Sequence, residues 1–520
     1  MFPSRKYLEP GVGIVALFGI FAKIFETERY EKIYSLCRAR AAGGGNCGVV
    51  HSKDKDAGKL AFDRPAVFLQ PGGTATVGFS STDIKSYSIS SKPVGWDDAI
   101  VLDEGAMSVR ITAPTVFEDD ARADEGTEEE EKAERSGTLT LAGTSFGGKR
   151  VTATLFVSVS KTVDMSDRPA NSYLVNGREC NYTFDAMHKG DGQSALATAS
   201  VDIVWQSKTN LIQYLSLDDG KVSFYVGADE DEDDRIDEGN ALIGAYDADG
   251  TLIWSWHVWA ADYDPDAEGG SVIFNGYTMM NRNLGALANG NETTDEILAS
   301  YGLYYQWGRK DPFIGPSTYR ADNGSSASMY NAKSGTVKLE SVESDAETGT
   351  ADYAVQHPLE YITGTADSDY DWAWSHDGAL WGESKTVNDP CPYGWRVAPS
   401  EAFEGLTISG TPAAADYDKF GWTLTDDVSQ SFFVGAGRRR YDNGMILNIY
   451  NPVPAEAQSR NTATEAQPWE GLYWTSDAGS GAQSPAFYFW FEKKTSGGNV
   501  EYDVPYARAN GMQVRCVREK

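Results

Sequence analysis

The 520-residue sequence predicts a multidomain chain in which all-β sandwich modules precede a larger, tryptophan-rich C-terminal domain. Three observations lead there. Several segments alternate apolar and polar residues with period two, the mark of a half-buried strand. The composition is rich in turn and aromatic residues, with Gly 53, Tyr 27 and Trp 14, which favours β structure. Twelve of the fourteen tryptophans lie between Trp254 and Trp490, so the chain changes character near its midpoint. The length suits roughly three or four domains.

Residues 1–57 read as an address segment. Arg5 and Lys6 precede a short apolar run, Gly11 to Ala22. Such a run suits a signal-peptide core and is too short to span a bilayer comfortably. Ala39-Arg40-Ala41 is a candidate cleavage site, Cys47 is an alternative candidate for lipidation, and a plain N-terminal helix is the remaining reading. No second long apolar stretch follows, so no transmembrane domain is expected.

Residues 58–163 read as one β-sandwich. Thr74 to Phe79 alternates, and Val151, Ala153, Leu155, Val157 and Val159 share one face of a second run. The acidic stretch Glu118 to Arg135 reads as a loop inserted between strands, because like charges repel. The segment resembles the immunoglobulin-like modules common in surface proteins of gut Bacteroidetes-type bacteria. The likeness lies in Leu60-Ala61-Phe62, Pro71-Gly72-Gly73-Thr74-Ala75, Gly95-Trp96 and Gly137-Thr138-Leu139-Thr140-Leu141. It implies a spacer or presenting module.

Residues 164–265 read as a second β-rich module. Asp247-Ala248-Asp249-Gly250 supplies the turn of a hairpin. The second arm, Thr251 to Trp259, places Trp254, Trp256 and Val258 on one face. These rings suit either a carbohydrate platform or a core and inter-domain seam, and the seam is favoured.

Residues 266–520 form the last expected domain. Five stretches occur there in order: Met279-Met280-Asn281-Arg282-Asn283-Leu284-Gly285; Tyr301 to Phe313, containing Tyr304-Tyr305-Gln306-Trp307-Gly308-Arg309; Asn388-Asp389-Pro390-Cys391-Pro392-Tyr393-Gly394-Trp395-Arg396-Val397; Gly471-Leu472-Tyr473-Trp474-Thr475-Ser476; and Asn510-Gly511-Met512-Gln513-Val514-Arg515-Cys516-Val517. Together they resemble the Fibrobacter succinogenes major paralogous domain, whose fold is C-type-lectin-like. The resemblance implies an α+β C-type-lectin-like domain in an extracellular setting, with no fixed ligand. In that fold the last strand returns beside the early part of the domain, which implies a disulfide between Cys391 and Cys516. A serine cap at Ser400 with Glu401 behind it predicts a short helix.

The net charge of −31 argues against nucleic acid or an anionic membrane as partner, because both are bound through Lys and Arg. The five cysteines, Cys37, Cys47, Cys180, Cys391 and Cys516, contain no C-x-x-C pair, so zinc ribbons and thioredoxin chemistry have no support. Asp262, Asp264 and Asp266 alternate as in a calcium loop, yet Ala267 and Ile273 replace the turn glycine and the closing acid. No metal or cofactor is therefore expected. The five histidines show no ligand spacing, and the chain is read as non-enzymatic.

A sugar site based on ring stacking is the sharper expectation. Trp372, Trp374 and Trp381 lie in a Gly- and Asp-rich region. Arg438-Arg439-Arg440-Tyr441 is a rare basic cluster, suited to a sialic acid, sulfate or carboxylate. The competing reading makes these residues core and charge balance. The expected function is an exported surface adhesin or ligand-binding protein on the outer membrane or a fimbria, as a lipoprotein or tip-like subunit, binding a glycan or host ligand without catalysis. The alternative is a structural pilus or surface-matrix subunit that binds protein partners only.

Overall fold

A computed structural model describes residues 57–117, 133–231, 234–319, 325–448, 468–493 and 496–520. The expected leader, with Cys37 and Cys47, and most of the acidic run after Phe117 lie outside the described residues. The described chain is mostly β. Its regular helices are short, and none is long and apolar enough to cross a membrane.

Alternating sequence shapes residues 59–159 into eight strands: β1 (Lys59–Phe62), β2 (Ala66–Leu69), β3 (Thr74–Thr82), β4 (Ile84–Ser91), β5 (Ile100–Asp103), β6 (Ser108–Thr112), β7 (Ser136–Ser145) and β8 (Arg150–Val159). They form two four-stranded sheets, β1-β3-β6-β5 and β2-β8-β7-β4. The inward residues Leu155 and Val157 of β8 are fully buried beside Val109, Ile111, Leu139 and Leu141. Trp96 joins this core and donates its indole N–H to Glu134 O at 2.8 Å. Residues 57–59, 81–86 and 143–151 group as a small unit of their own. There Gly148, at φ +79°, closes a tight turn and donates to Ser145 O at 2.9 Å.

The next region contributes β9 (Thr162–Asp164), β10 (Ser172–Val175), β11 (Cys180–Asp185), β12 (Ser200–Gln206), β13 (Gln213–Asp218), β14 (Lys221–Val226), β15 (Gly239–Tyr246) and β16 (Leu252–Ala260). One sheet runs β13-β14-β11-β9. Between it and the strands β10-β16-β15-β12 lies a core of Phe184, Phe224, Ile243, Trp254, Trp256 and Val258. β16 pairs with β10 in parallel and β15 antiparallel, and both its faces are covered. This explains why its sequence is apolar almost throughout. The three tryptophans of this strand are buried, so they are core and seam.

The remaining elements are β17 (Ser271–Phe274), β18 (Tyr277–Met280), α1 (Thr294–Ser300), β19 (Tyr305–Gln306), β20 (Met329–Tyr330), β21 (Thr336–Val337), β22 (Glu340–Glu343), α2 (Ala351–Gln356), β23 (Glu360–Thr363), β24 (Trp395–Val397), β25 (Thr407–Ile408), β26 (Gly421–Thr425), β27 (Gln430–Val434), β28 (Arg438–Arg439), β29 (Ile446–Leu447), β30 (Trp469–Trp474), β31 (Gln483–Glu492), β32 (Gly497–Ala507), β33 (Gly511–Met512) and β34 (Cys516–Arg518). They build small sheets, and the terminal strand β34 lies between β18 and β24. Ser400 does not cap a helix. It sits inside a single 3₁₀ turn, where its amide donates to Asp477 Oδ2 at 2.7 Å.

The expected boundary at residues 265/266 runs through a continuous structure. β12 pairs with β20, which extends the sheet of β16 into the C-terminal region. The opposite face of that sheet sends Trp205, Leu242 and Trp259 into one core with Met280, Leu303, Trp307, Trp474 and Cys516. Polar bonds follow the same seam. Asn240 Nδ2 donates to Gly285 O at 2.9 Å, and Trp259 Nε1 donates to Ala286 O at 3.1 Å. Residues 164–265 and 266–520 therefore share a core.

Candidate functional site

The disulfide and its surroundings form the frame. Cys391 and Cys516 are bonded, with Cα atoms 6.0 Å apart and a sequence separation of 125. Closing a loop of that length stabilises by about 5 kcal/mol in the chain-entropy model. Asp389, itself buried, organises the turn: its carboxylate accepts from Cys391 N at 2.9 Å, Val397 N at 3.0 Å and Lys385 Nζ at 3.1 Å. Disulfides persist in oxidising compartments, so the bond fits an extracellular or secreted protein.

The arginine cluster separates into three environments, because strand geometry turns neighbours to opposite sides. Arg438 forms an ion pair with the buried Glu470. Burial raises the Glu470 carboxyl, and the facing Arg438 opposes that rise. Arg439 is buried. It donates to Gly444 O at 2.8 Å, Ile314 O at 2.6 Å and Ser326 Oγ at 2.9 Å. Desolvation pulls its guanidinium down to about 10. Arg440 grips Asp442 with two bonds, at 3.0 and 2.7 Å. The expected anion grip is corrected accordingly: Arg439 is scaffold, and Arg438 and Arg440 are already matched to carboxylates.

Arg439→Ala is expected to cost about 3 kcal/mol, because it strands buried acceptors in a site that water does not reach. Chemical denaturation checks this, and an unchanged midpoint would restore Arg439 as a surface residue.

The tryptophans divide as sharply. Trp372 and Trp381 are 1% exposed, and their indole N–H groups donate to Trp307 O at 2.7 Å and Asn388 O at 2.9 Å. Both belong to the core, which corrects their expected role as sugar platforms. Trp374 is 38% exposed and stays a surface ring. Its backbone N–H donates to Gly349 O at 2.9 Å.

The structure adds a residue of the same stretch that was not counted among the expected site residues. Tyr370 is 44% exposed and meets the half-buried Tyr441 edge to face, with ring centroids 5.1 Å apart. Tyr370 adopts φ +65°, and Asp369 and His376 in the same loop adopt +49° and +54°. Left-handed backbone at a bulky residue is rare and costs ~1–3 kcal/mol.

The surroundings hold the loop in place. Tyr370 N donates to Thr365 O at 2.8 Å, and Gly364 N donates to Tyr441 O at 2.7 Å. A Cβ on Gly364 would lie 2.4 Å from the Tyr370 carbonyl carbon, so only glycine lets the chain approach so closely.

Beneath the loop lies Asp371, fully buried. It accepts from Ala373 N at 3.0 Å, and His376 Nδ1 lies 3.2 Å from its carboxylate. Arg508 Nη1 stands 3.7 Å away, with its guanidinium 4.3 Å above the Trp307 ring. Burial raises the Asp371 carboxyl and lowers the Arg508 guanidinium. The result is a rigid floor under the Tyr370–Tyr441 pair, with Trp374 exposed four residues further along the loop. Exposed acids border it: Asp345 and Glu347 beside Gly349, and Asp367, Asp369, Asp377 and Asp442 in the aromatic loop and the adjoining hairpin.

The three carboxylates weighed for calcium are engaged separately. Asp262 faces Arg235 Nε at 3.4 Å, Asp264 Oδ1 accepts from Asp266 N at 2.9 Å, and Asp266 pairs with Arg518. Among the described residues, no group of three or more His, Cys, Asp or Glu side chains converges as a metal site.

No family model matches the chain, and no curated protein matches it. Among solved structures, it has a likeness to SporoSAG from Toxoplasma gondii, at 8% identity over 38% of this chain and 94% of that one, TM-score 0.11. A protocadherin gamma B7 structure matches at 11% identity over 45% of this chain and 52% of that one, TM-score 0.13. Tandem Ig repeats of Dlar match at 12% identity over 39% and 98%, TM-score 0.12. Likenesses this low identify no family for the chain.

Proposed function

We propose that the chain is an exported cell-surface adhesin or ligand-binding protein that holds a glycan without catalysis. The observation that carries this reading is the pair of exposed rings, Tyr370 and Trp374, on a strained loop braced from below, with the half-buried Tyr441 packed against Tyr370. Strain at a surface aromatic persists only where the surroundings over-determine it, and such positions concentrate at binding sites. Exposed rings stack on the apolar faces of sugars, and the flanking carboxylates accept their hydroxyl protons. The acidic border favours neutral glycans over sialylated or sulfated ones.

The C-type-lectin-like reading of the C-terminal region belongs to the same proposal. The five ordered stretches support it, as does the return of β34 beside β18 and β24. The eight-stranded first module then acts as an Ig-like spacer on an outer membrane or fimbria. β32 keeps the structural-subunit alternative open. Among the described residues it is an 11-residue strand at the edge of the sheet β30-β31-β32, where a partner strand could add. Glu501, Asp503 and Pro505 on it are the residue types that blunt such edges, which weighs against that alternative.

A glycan array of the full chain, with and without calcium, tests the proposal. Neutral glycans are expected to bind in both conditions. The double substitution Tyr370→Asn and Trp374→Ala is expected to weaken binding about tenfold or more, with little change in melting temperature. Asn suits the left-handed backbone at position 370 while removing the ring. A silent array would turn the search to protein partners.

A further inference from the structure

Apart from the aromatic loop, the molecule holds a second place shaped for a ligand. A cavity of ≈ 330 Å³ lies between β2 and the sheet β13-β14-β11-β9. Its size falls within the ~300–1,000 Å³ of small-molecule sites, which form preferentially at domain junctions.

The sheet lines the cavity with its polar face. Tyr182, Phe184 and Phe224 turn the other way, into the core, which leaves Asn181, Thr183 and Ser223 facing the cavity. These side chains are fixed in a row. Ser223 Oγ donates to Asn181 Oδ1 at 3.0 Å, Asn181 Nδ2 to Thr162 Oγ1 at 3.3 Å, and Thr183 Oγ1 to Asp164 Oδ1 at 3.1 Å. Each hydroxyl oxygen keeps accepting capacity for a ligand.

Aromatic rings join the two walls. Phe68 stacks on Tyr225 with centroids 5.6 Å apart, and Phe156 stacks on Tyr214 at 4.2 Å. Tyr214, at φ +53°, also lines the cavity.

The charges at the cavity are largely matched. Arg64 pairs with Asp218 at 3.0 Å and Lys221 with Asp164 at 2.6 Å. Asp219 adds one further carboxylate, so an anion meets no surplus of positive charge. Hydroxyls, an amide, an aromatic ring and matched charges together are the chemistry that recognises an uncharged polyol.

We infer that this cavity binds a short neutral saccharide, with Tyr214 as its aromatic contact and the Asn181, Thr183 and Ser223 row as its hydrogen-bonding wall. The site is separate from the aromatic loop and does not depend on that loop being an adhesin surface.

The test is saturation-transfer NMR with calorimetric titration of the full chain. The probes are methyl β-galactoside, methyl α-mannoside, N-acetylglucosamine and lactose. At least one is expected to bind. Ser223→Tyr and Ser216→Trp, which fill the cavity from adjacent strands, are each expected to weaken that binding about tenfold or more. Tyr370→Asn with Trp374→Ala is expected to leave it unchanged, which separates this site from the surface one. Melting curves identify a filling variant that fails to fold, and the other variant then decides. Binding of none of the four sugars, or binding that survives filling in a chain also carrying Tyr370→Asn and Trp374→Ala, would overturn the inference.

Discussion

A fragment comprising residues 266–520 alone is expected to lack a cooperative folding transition, whereas residues 167–520 are expected to melt as one unit. The reason is the shared core. Seven of its buried residues, Val204, Trp205, Leu242, Leu252, Trp259, Ala261 and Tyr263, come from the N-terminal side of the cut. At ~1.5–3 kcal/mol for each large side chain, their loss removes on the order of 10 kcal/mol, comparable to the whole stability of a domain.

The cut also strips partners from buried charge. Lys310 and Asp311 are both buried, and each bonds Ser255 Oγ, at 2.6 Å in both cases. Lys310 Nζ also donates to Ser255 O at 3.0 Å and lies 4.4 Å above the Trp254 ring. Without β16 this pair faces water beside an exposed apolar surface. Near-ultraviolet circular dichroism and calorimetry of the two fragments check the result. A sharp transition in the shorter fragment, near that of the longer one, would make 265/266 a true domain boundary.

The sequence signals for strands were local and therefore readable. The alternation of Val151 to Val159 marks a half-buried strand, and burial follows it residue by residue through Leu155 and Val157. β16 was readable as a strand, and its nearly unbroken apolar run also carried the sign of burial on both faces. Placing a boundary just after it divided the tryptophan-rich strand from the core that its far face builds.

The candidate site was less legible, because identical letters meet different surroundings. In Arg438-Arg439-Arg440 the middle side chain points inward to backbone carbonyls and Ser326, while Arg438 meets the buried Glu470 and Arg440 the exposed Asp442. Nothing in a run of three arginines orders them. Trp372 and Trp374 likewise stand two residues apart and differ by a backbone turn, not by chemistry. Tyr370 owes its exposure to a left-handed φ, which is rare for tyrosine and imposed by the nearby Gly364 and by Tyr441 and Ala509, which are distant in sequence. Even so, the loop containing Tyr370, Trp372 and Trp374 was singled out as a Gly- and Asp-rich region carrying aromatic rings.

Acid is expected to destabilise the protein through His257, with a slope of about 1.4 kcal/mol per pH unit from this residue alone. His257 is fully buried in the seam, with Ser172 Oγ 2.9 Å from Nδ1 and Asn240 Oδ1 2.9 Å from Nε2. Because Asn240 Nδ2 is committed to Gly285 O, its oxygen faces the imidazole, and Nε2 must carry the proton. Nδ1 then accepts from Ser172, so both ring nitrogens are satisfied in the neutral form. Burial lowers the imidazole from 6.5 to about 3. Between those values the unfolded chain binds a proton that the folded chain refuses. The stability from this group is fully present above pH 6.5 and is lost as the pH falls towards 3, about 4–5 kcal/mol in all. Asp371 and Glu470 act in the opposite sense, since burial raises their carboxyls and folding then takes up protons as the pH falls. His257→Gln, which keeps a donor and an acceptor but cannot titrate, separates these contributions. Urea denaturation at pH 7.5, 6 and 4.5 is expected to give a shallower loss for the variant, by about one proton's slope. Equal slopes in the two proteins would mean that His257 is protonated inside the fold and that the seam accommodates its charge.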